Sequence, residues 1–132
     1  MRPSRITANL VGFMLFVQVI LGGSAVLLSF PISYHIVWGI ITFAVLIVAT
    51  VLAARDYGRR SPILKIALAA IADFVIQGIL GLLAFSSDTI VVVHLTNAFV
   101  LAVLATYLIS YVDRADSMKP PISSARVPSS PP

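Results

Sequence analysis

The chain contains no cysteine. Disulfides, cysteine-ligated iron–sulfur clusters and thiolate chemistry are therefore excluded, and nothing follows about redox compartment. Charge is scarce as well: 11% of residues are charged and 59% are hydrophobic, with a mean hydropathy of +1.03. A soluble domain of 132 residues has too little interior to hide that much apolar surface, so a bilayer is the expected solvent. There is no glycine-rich phosphate loop and no Ser/His/Asp set, which leaves hydrolase and kinase chemistry without residues to perform it. Imidazole is confined to two positions, His35 and His94.

What is present is apolar length. A hydrocarbon core asks for roughly 20 apolar residues in a helix, and four stretches qualify: about Ile6–Phe30, Ser33–Ala54, Ile63–Phe85 and Thr89–Val112. The connections "FPIS" and "SSDT" are too short for anything but antiparallel helical hairpins, and Pro31 marks a stop before the second span. The first span follows a charged "MRPSR" start, as a signal peptide does, but its apolar run is longer than such a segment needs, and it is read as a membrane helix. The expected fold is an all-α bundle of four transmembrane helices, residues 6–112, after a short N-terminal segment at 1–5. A disordered, cytoplasmic, Pro- and Ser-rich tail is expected over 113–132.

All nine cations fall at one end of this bundle. Arg2 and Arg5 precede the first span, Arg55, Arg59, Arg60 and Lys65 occupy the middle connection, and Arg114, Lys119 and Arg126 follow the fourth. The hairpin loops carry only Asp88. The positive-inside rule then places both termini and the middle loop in the cytoplasm of a multi-pass plasma-membrane protein. The net charge of +4 is thereby read as orientation and headgroup attraction, with no nucleic-acid partner.

An internal repeat organises the spans. "QVILGGSAVLLSFPISYH" at 18–35 aligns without a gap on "QGILGLLAFSSDTIVVVH" at 77–94. Gln18 matches Gln77, Ile20 matches Ile79, Leu21 matches Leu80, Gly22 matches Gly81, Ala25 matches Ala84 and His35 matches His94. The repeats, about 6–54 and 63–112, have the same topology, so the bundle is expected to have pseudo-two-fold symmetry about the membrane normal. Lipid asks only for apolar side chains. The matched Gln, Gly and His are residues a bilayer does not require.

The histidines carry the chemistry. Each lies near the outer start of a helix, at matching depth, on helices that the symmetry relates, so both imidazoles are expected to face one point inside the bundle. That arrangement suits two axial ligands of one haem iron. Zinc or copper needs more His, Cys or carboxylate ligands than this region offers, whereas a macrocycle brings its own four nitrogens. His35 and His94 are the expected ligands of haem b. Gly22, Gly81, Gly39 and Ala98 are expected to leave room for the macrocycle, and Gln18 and Gln77 to hydrogen-bond its edge or each other. The competing structural reading is that the glycines serve close helix packing and that each histidine bonds a nearby carbonyl. The outer half holds no Arg or Lys, so propionates would meet Ser33, Tyr34, Thr89, water or a partner subunit. Asp73, four residues before Gln77 and so on its face, is either a proton relay or quinone contact, or a protonated carboxyl facing the interior. Asn97 and Trp38, matched in the repeat, lie near the histidines; Trp38 reads as ordinary packing.

Residues 6–112 resemble one half of the haem A synthase family, whose members are two tandem four-helix bundles with histidines on the second and fourth helices of each. The "Q-x-x-L-G" step (Gln18, Leu21, Gly22; Gln77, Leu80, Gly81) and "HLTNAF" from His94 carry the resemblance. It implies a cofactor-holding half. The Glu that precedes the second-helix histidine in catalytic halves is absent from "FPISYH", as are the family's cysteine pair and its long outer loop. Methyl hydroxylation of haem is therefore not implied. The expectation is a membrane b-type cytochrome transferring electrons, with a quinol, an extracytoplasmic redox protein or other respiratory-complex subunits as partners. Two other readings stand beside it: a cofactor-free subunit or assembly factor, and a haem carrier or half-size haem A synthase relative.

Overall fold

A computed structural model describes residues 2–118. Four helices follow one another: α1 (Pro3–Leu28), α2 (Ile32–Tyr57), α3 (Pro62–Leu83) and α4 (Asp88–Ser117), with one 3₁₀ turn at Ala84–Ser86. Each is long and apolar enough to cross a membrane. This is a four-helix bundle of a multi-pass membrane protein, with no strand among the described residues.

Local chemistry sets the helix ends. Proline opens both α1 and α3, where its missing N–H is no loss and its fixed φ suits a first turn. The Ser61 hydroxyl accepts a hydrogen bond from Leu64 N–H at 3.2 Å, capping α3. At the other end of α1, Ser29 adopts φ 54°, a left-handed turn that lets Phe30 N–H reach Ser24 O at 3.2 Å. The helices outrun their apolar stretches. α1 begins at Pro3 rather than near Ile6, and α4 continues through 113–117, part of the tail expected to be disordered. The reason is a polar clamp at this end. Arg5 Nε lies 2.7 Å from Asp113 Oδ1 and Arg2 Nε 3.4 Å from Asp116 Oδ1. The Tyr57 hydroxyl donates to Asp116 Oδ1 at 3.0 Å and accepts from Ser4 at 3.3 Å. The remaining tail, from Lys119, lies outside the described residues.

Each helix packs on its neighbours in chain order, and α4 closes against α1. α2 and α4 therefore lie on one diagonal of the bundle, α1 and α3 on the other. The buried positions obey the 59-residue repeat of the sequence. Ala8 and Ala67, Thr42 and Leu101, Leu46 and Ala105, Ala49 and Leu108, and Ala53 and Val112 are all buried. The rest of the surface is apolar on every side, with Phe13, Phe16, Leu27 and Phe99 exposed, as suits helices solvated by lipid.

Burial is uneven along the bundle axis. The core fills the half carrying the termini and the α2–α3 connection. Between Leu15 and Gly39, and again between Ala70 and Leu101, no residue is buried. The half bearing the two hairpin turns has no fully buried residue, and the histidines are in it.

Candidate functional site

His35 projects from α2 and His94 from α4, across the bundle diagonal. Their ring centroids are 6.3 Å apart, with the ring planes at 77°. The symmetry-related imidazoles do meet at one point, as the repeat predicts.

Each ring is held by a glutamine of the same hairpin, in the same way twice. His35 Nδ1 lies 3.1 Å from the main-chain oxygen of Gln18, and His94 Nδ1 lies 3.1 Å from that of Gln77. A carbonyl oxygen only accepts, so Nδ1 carries the proton in both rings and Nε2 presents a lone pair. The glutamine amides point into that lone pair, at 3.2 Å for Gln18 to His35 and 3.4 Å for Gln77 to His94. The same amide nitrogens also donate to the main-chain oxygens of His35 at 3.1 Å and His94 at 3.0 Å. Every contact of one bracket has its counterpart in the other.

The glycines make these brackets possible. A Cβ on Gly22 would stand 2.9 Å from His35 Cε1, one on Gly81 3.1 Å from His94 Cε1, and one on Gly39 2.9 Å from the Gln18 amide nitrogen. The room expected for a macrocycle beside these residues is taken instead: Gly22 and Gly81 seat the imidazoles, and Gly39 seats Gln18. An imidazole must lie flat against the facing backbone for Nδ1 to reach a carbonyl, and a side chain there would block it. Ala98, matched to Gly39, is half-buried. Gln18 and Gln77 hold the histidines rather than each other.

The symmetry breaks one turn away. Asn97 donates to Gln77 Oε1 at 2.9 Å, but Trp38 occupies the matching place and its indole N–H goes to Met14 O at 2.9 Å. Gln18 Oε1 is consequently buried without a partner. Spacing alone puts Asn97 near His94; its amide bond to Gln77 comes from the tertiary structure, and the Trp38/Asn97 mismatch in the aligned repeats is the one sequence signal for it. Gln77→Leu is expected to cost about 1–2 kcal/mol, since it strands Asn97 as well as two acceptors on His94. Gln18→Leu removes a group already half-unsatisfied and is expected to cost about 1 kcal/mol less. Thermal unfolding of the two variants in detergent checks the ranking; equal losses contradict it.

The donor set can be tested against haem. A metal–nitrogen bond of about 2.0 Å on each side, with the ring centre about 1.1 Å behind its nitrogen, puts two axial imidazole centres roughly 6 Å apart. The 6.3 Å between ring centres matches that span, but each Nε2 faces its own glutamine amide and the space beside the glycines is filled, so a macrocycle would have to displace both brackets. A neutral imidazole with Nδ1–H on a main-chain carbonyl is also the form in which histidine binds metal. Among the described residues there is no group of three or more His, Cys, Asp or Glu. The pair therefore suits a metal that brings its other ligands with it. No family model matches the chain, and no curated protein or solved structure matches it either.

Proposed function

We propose that the protein is a b-type cytochrome of the plasma membrane, with haem b ligated through Nε2 of His35 and His94. The observation that carries this reading is the meeting of two carbonyl-oriented imidazoles across the bundle diagonal at 6.3 Å. Bound haem iron supplies one-electron exchange. The chain's own residues orient that group: the Gln18 and Gln77 carbonyls fix the tautomer and direction of each ligand, and Gly22 and Gly81 let the rings lie close. A haem held by both histidines would keep no open position for oxygen, which favours electron transfer over oxygen chemistry. Among the described residues no Arg or Lys lies at that end, so propionates there would be left to Ser33, Tyr34, Thr89, water or a partner subunit. The cations at the opposite end favour the cytoplasmic side for it, which would put the histidines near the outer face. A quinol, an extracytoplasmic redox protein or another respiratory subunit is the partner within reach. The resemblance to half of a haem A synthase agrees with this, and the missing Glu argues against catalysis.

A second reading has an observation of its own. Each ring nitrogen already has a partner within its hairpin, so the brackets also work as clips in a cofactor-free subunit. Oxidised and dithionite-reduced spectra of the purified protein separate the two. A sharp b-type α band on reduction is expected. A preparation that stays colourless after haem addition sinks the cytochrome and leaves the clip. Extracted haem carrying a hydroxyl or formyl substituent points instead to a haem A synthase relative.

A further inference from the structure

We propose that the outward face of α4 binds one anionic phospholipid, with its phosphate on Arg114 and an acyl chain lying toward Phe99. The inference does not depend on the haem reading. A groove of about 500 Å³ runs along this face. Two rows of side chains make it, each at a spacing of four residues and so each in line along the helix. Phe99, Val103, Tyr107 and Tyr111 form a wall, and Ala102, Thr106 and Ser110 form a low floor that ends at Arg114. The Thr106 hydroxyl donates to Ala102 O at 2.9 Å, so that polar group is satisfied within the helix. The core side of α4, at Leu101, Ala105, Leu108 and Val112, is opposite. A second cavity, of about 440 Å³, meets the groove at Tyr111 and Arg114 and extends to Tyr57, Ser61 and Ile63. A slot for a chain and a space for a headgroup are thus joined at a cation.

Length and charge both select a phospholipid. Phe99 to Arg114 spans roughly 22 Å at 1.5 Å per residue, which is about one leaflet with its headgroup region. Arg114 pairs with no carboxylate among the described residues, because its neighbours Asp113 and Asp116 are drawn to Arg5 and Arg2 of α1. Ser61 and Ile63 lie at the N-terminal end of α3, whose first turn holds no acidic residue and whose dipole adds positive potential there. The Tyr57 hydroxyl is already engaged by Ser4 and Asp116, so the phosphate contacts fall to Arg114 and to the Ser61 and Tyr111 hydroxyls. Basic pockets between membrane helices are a known chemistry for anionic headgroups. The internal repeat supplies the control. Ala102, Thr106 and Ser110 match Phe43, Ile47 and Val51 of α2, and Arg114 matches Arg55. Bulky side chains occupy that row on α2, and Arg55 has Asp56 beside it at 3.7 Å, where α4 has Ala115. Packing of the bundle therefore does not ask for a groove, or for an unpaired cation at its end.

Native mass spectrometry of the full chain released from detergent tests this, with phosphatidylglycerol and phosphatidylcholine of identical chains as probes and inorganic phosphate alongside. Phosphatidylglycerol should bind about fivefold tighter than phosphatidylcholine. Arg114→Gln should remove that preference and Arg114→Lys should keep most of it, while Arg55→Gln leaves it unchanged. Thr106→Ile combined with Ser110→Val gives α4 the floor that α2 carries, and should weaken binding of both lipids with Arg114 still in place. Thermal unfolding without added lipid checks that the variants are folded, and acting on the cation and on the groove separately keeps the test open if one of them is not. Equal binding of the two lipids, or a preference that survives Arg114→Gln, overturns the proposal and leaves only annular lipid. Inorganic phosphate that displaces phosphatidylglycerol, with the groove variant unaffected, overturns it in favour of a small-anion site. A dimer that the groove variant dissociates, with no lipid bound, places a second copy of this chain on the face instead.

Discussion

On the cytochrome reading, His35→Ala and His94→Ala are each expected to abolish the reduced α band of the proposed low-spin site, and added imidazole is expected to bring it back. Each ring fills a space defined by a bare glycine backbone on the facing helix, 2.9 Å from a notional Cβ for His35 and 3.1 Å for His94. Removing the ring leaves that slot behind. The carbonyl that orients it belongs to the main chain of Gln18 or Gln77, so it remains in place to receive the Nδ1–H of a free imidazole. One remaining histidine supports only a five-coordinate, high-spin spectrum, which differs clearly from the six-coordinate one. Absorption spectra of the two variants, with and without imidazole, check this. Retention of the α band in either variant without imidazole rules out that histidine as a ligand. Adding Gly22→Leu to His35→Ala closes the slot and should prevent rescue, which separates a refilled site from non-specific binding.

Leu46→Ala is expected to destabilise the bundle by about 2 kcal/mol, and Leu21→Ala by well under half of that. Leu46 is 1% exposed and sits in a cluster with Val11, Ala49 and Leu101. In lipid the transfer term between helix and solvent is small, so the cost comes from the cavity and the lost dispersion contacts. Leu21 is only half-buried, in the half of the bundle without a buried core, and its truncation leaves a space that surrounding molecules can enter. Unfolding of both variants in detergent tests the packing asymmetry. Equal costs would mean that the hairpin half is as tightly packed as the other.

Composition and periodicity made the fold legible. Four apolar runs with two very short connections leave little besides paired antiparallel hairpins, since backbone groups in hydrocarbon must bond within their own helix. The gap-free match of Gln18, Gly22 and His35 to Gln77, Gly81 and His94 likewise pointed to residues that the structure brings together, because costly polar residues at equal spacing in lipid mark a shared geometry. The helix ends at Pro3 and Ser117 were less legible. They depend on Arg2, Arg5, Tyr57, Asp113 and Asp116 meeting at one end of the bundle, and these residues lie far apart in the chain.

The sequence by itself determined the class, the hairpins, the repeat and the pairing of the two histidines, because each follows from hydropathy or spacing along one chain. Only the tertiary structure decided what the glycines and glutamines do. Which backbone an imidazole rests on, and which carbonyl holds its Nδ1, depend on the rotation and depth of one helix against another. A one-dimensional pattern does not carry those quantities. The same holds for Asn97, whose bond to Gln77 Oε1 makes the two halves unlike, and for the uneven burial along the bundle, which the apolar sequence conceals because lipid-facing and core-facing residues are chemically alike in a membrane.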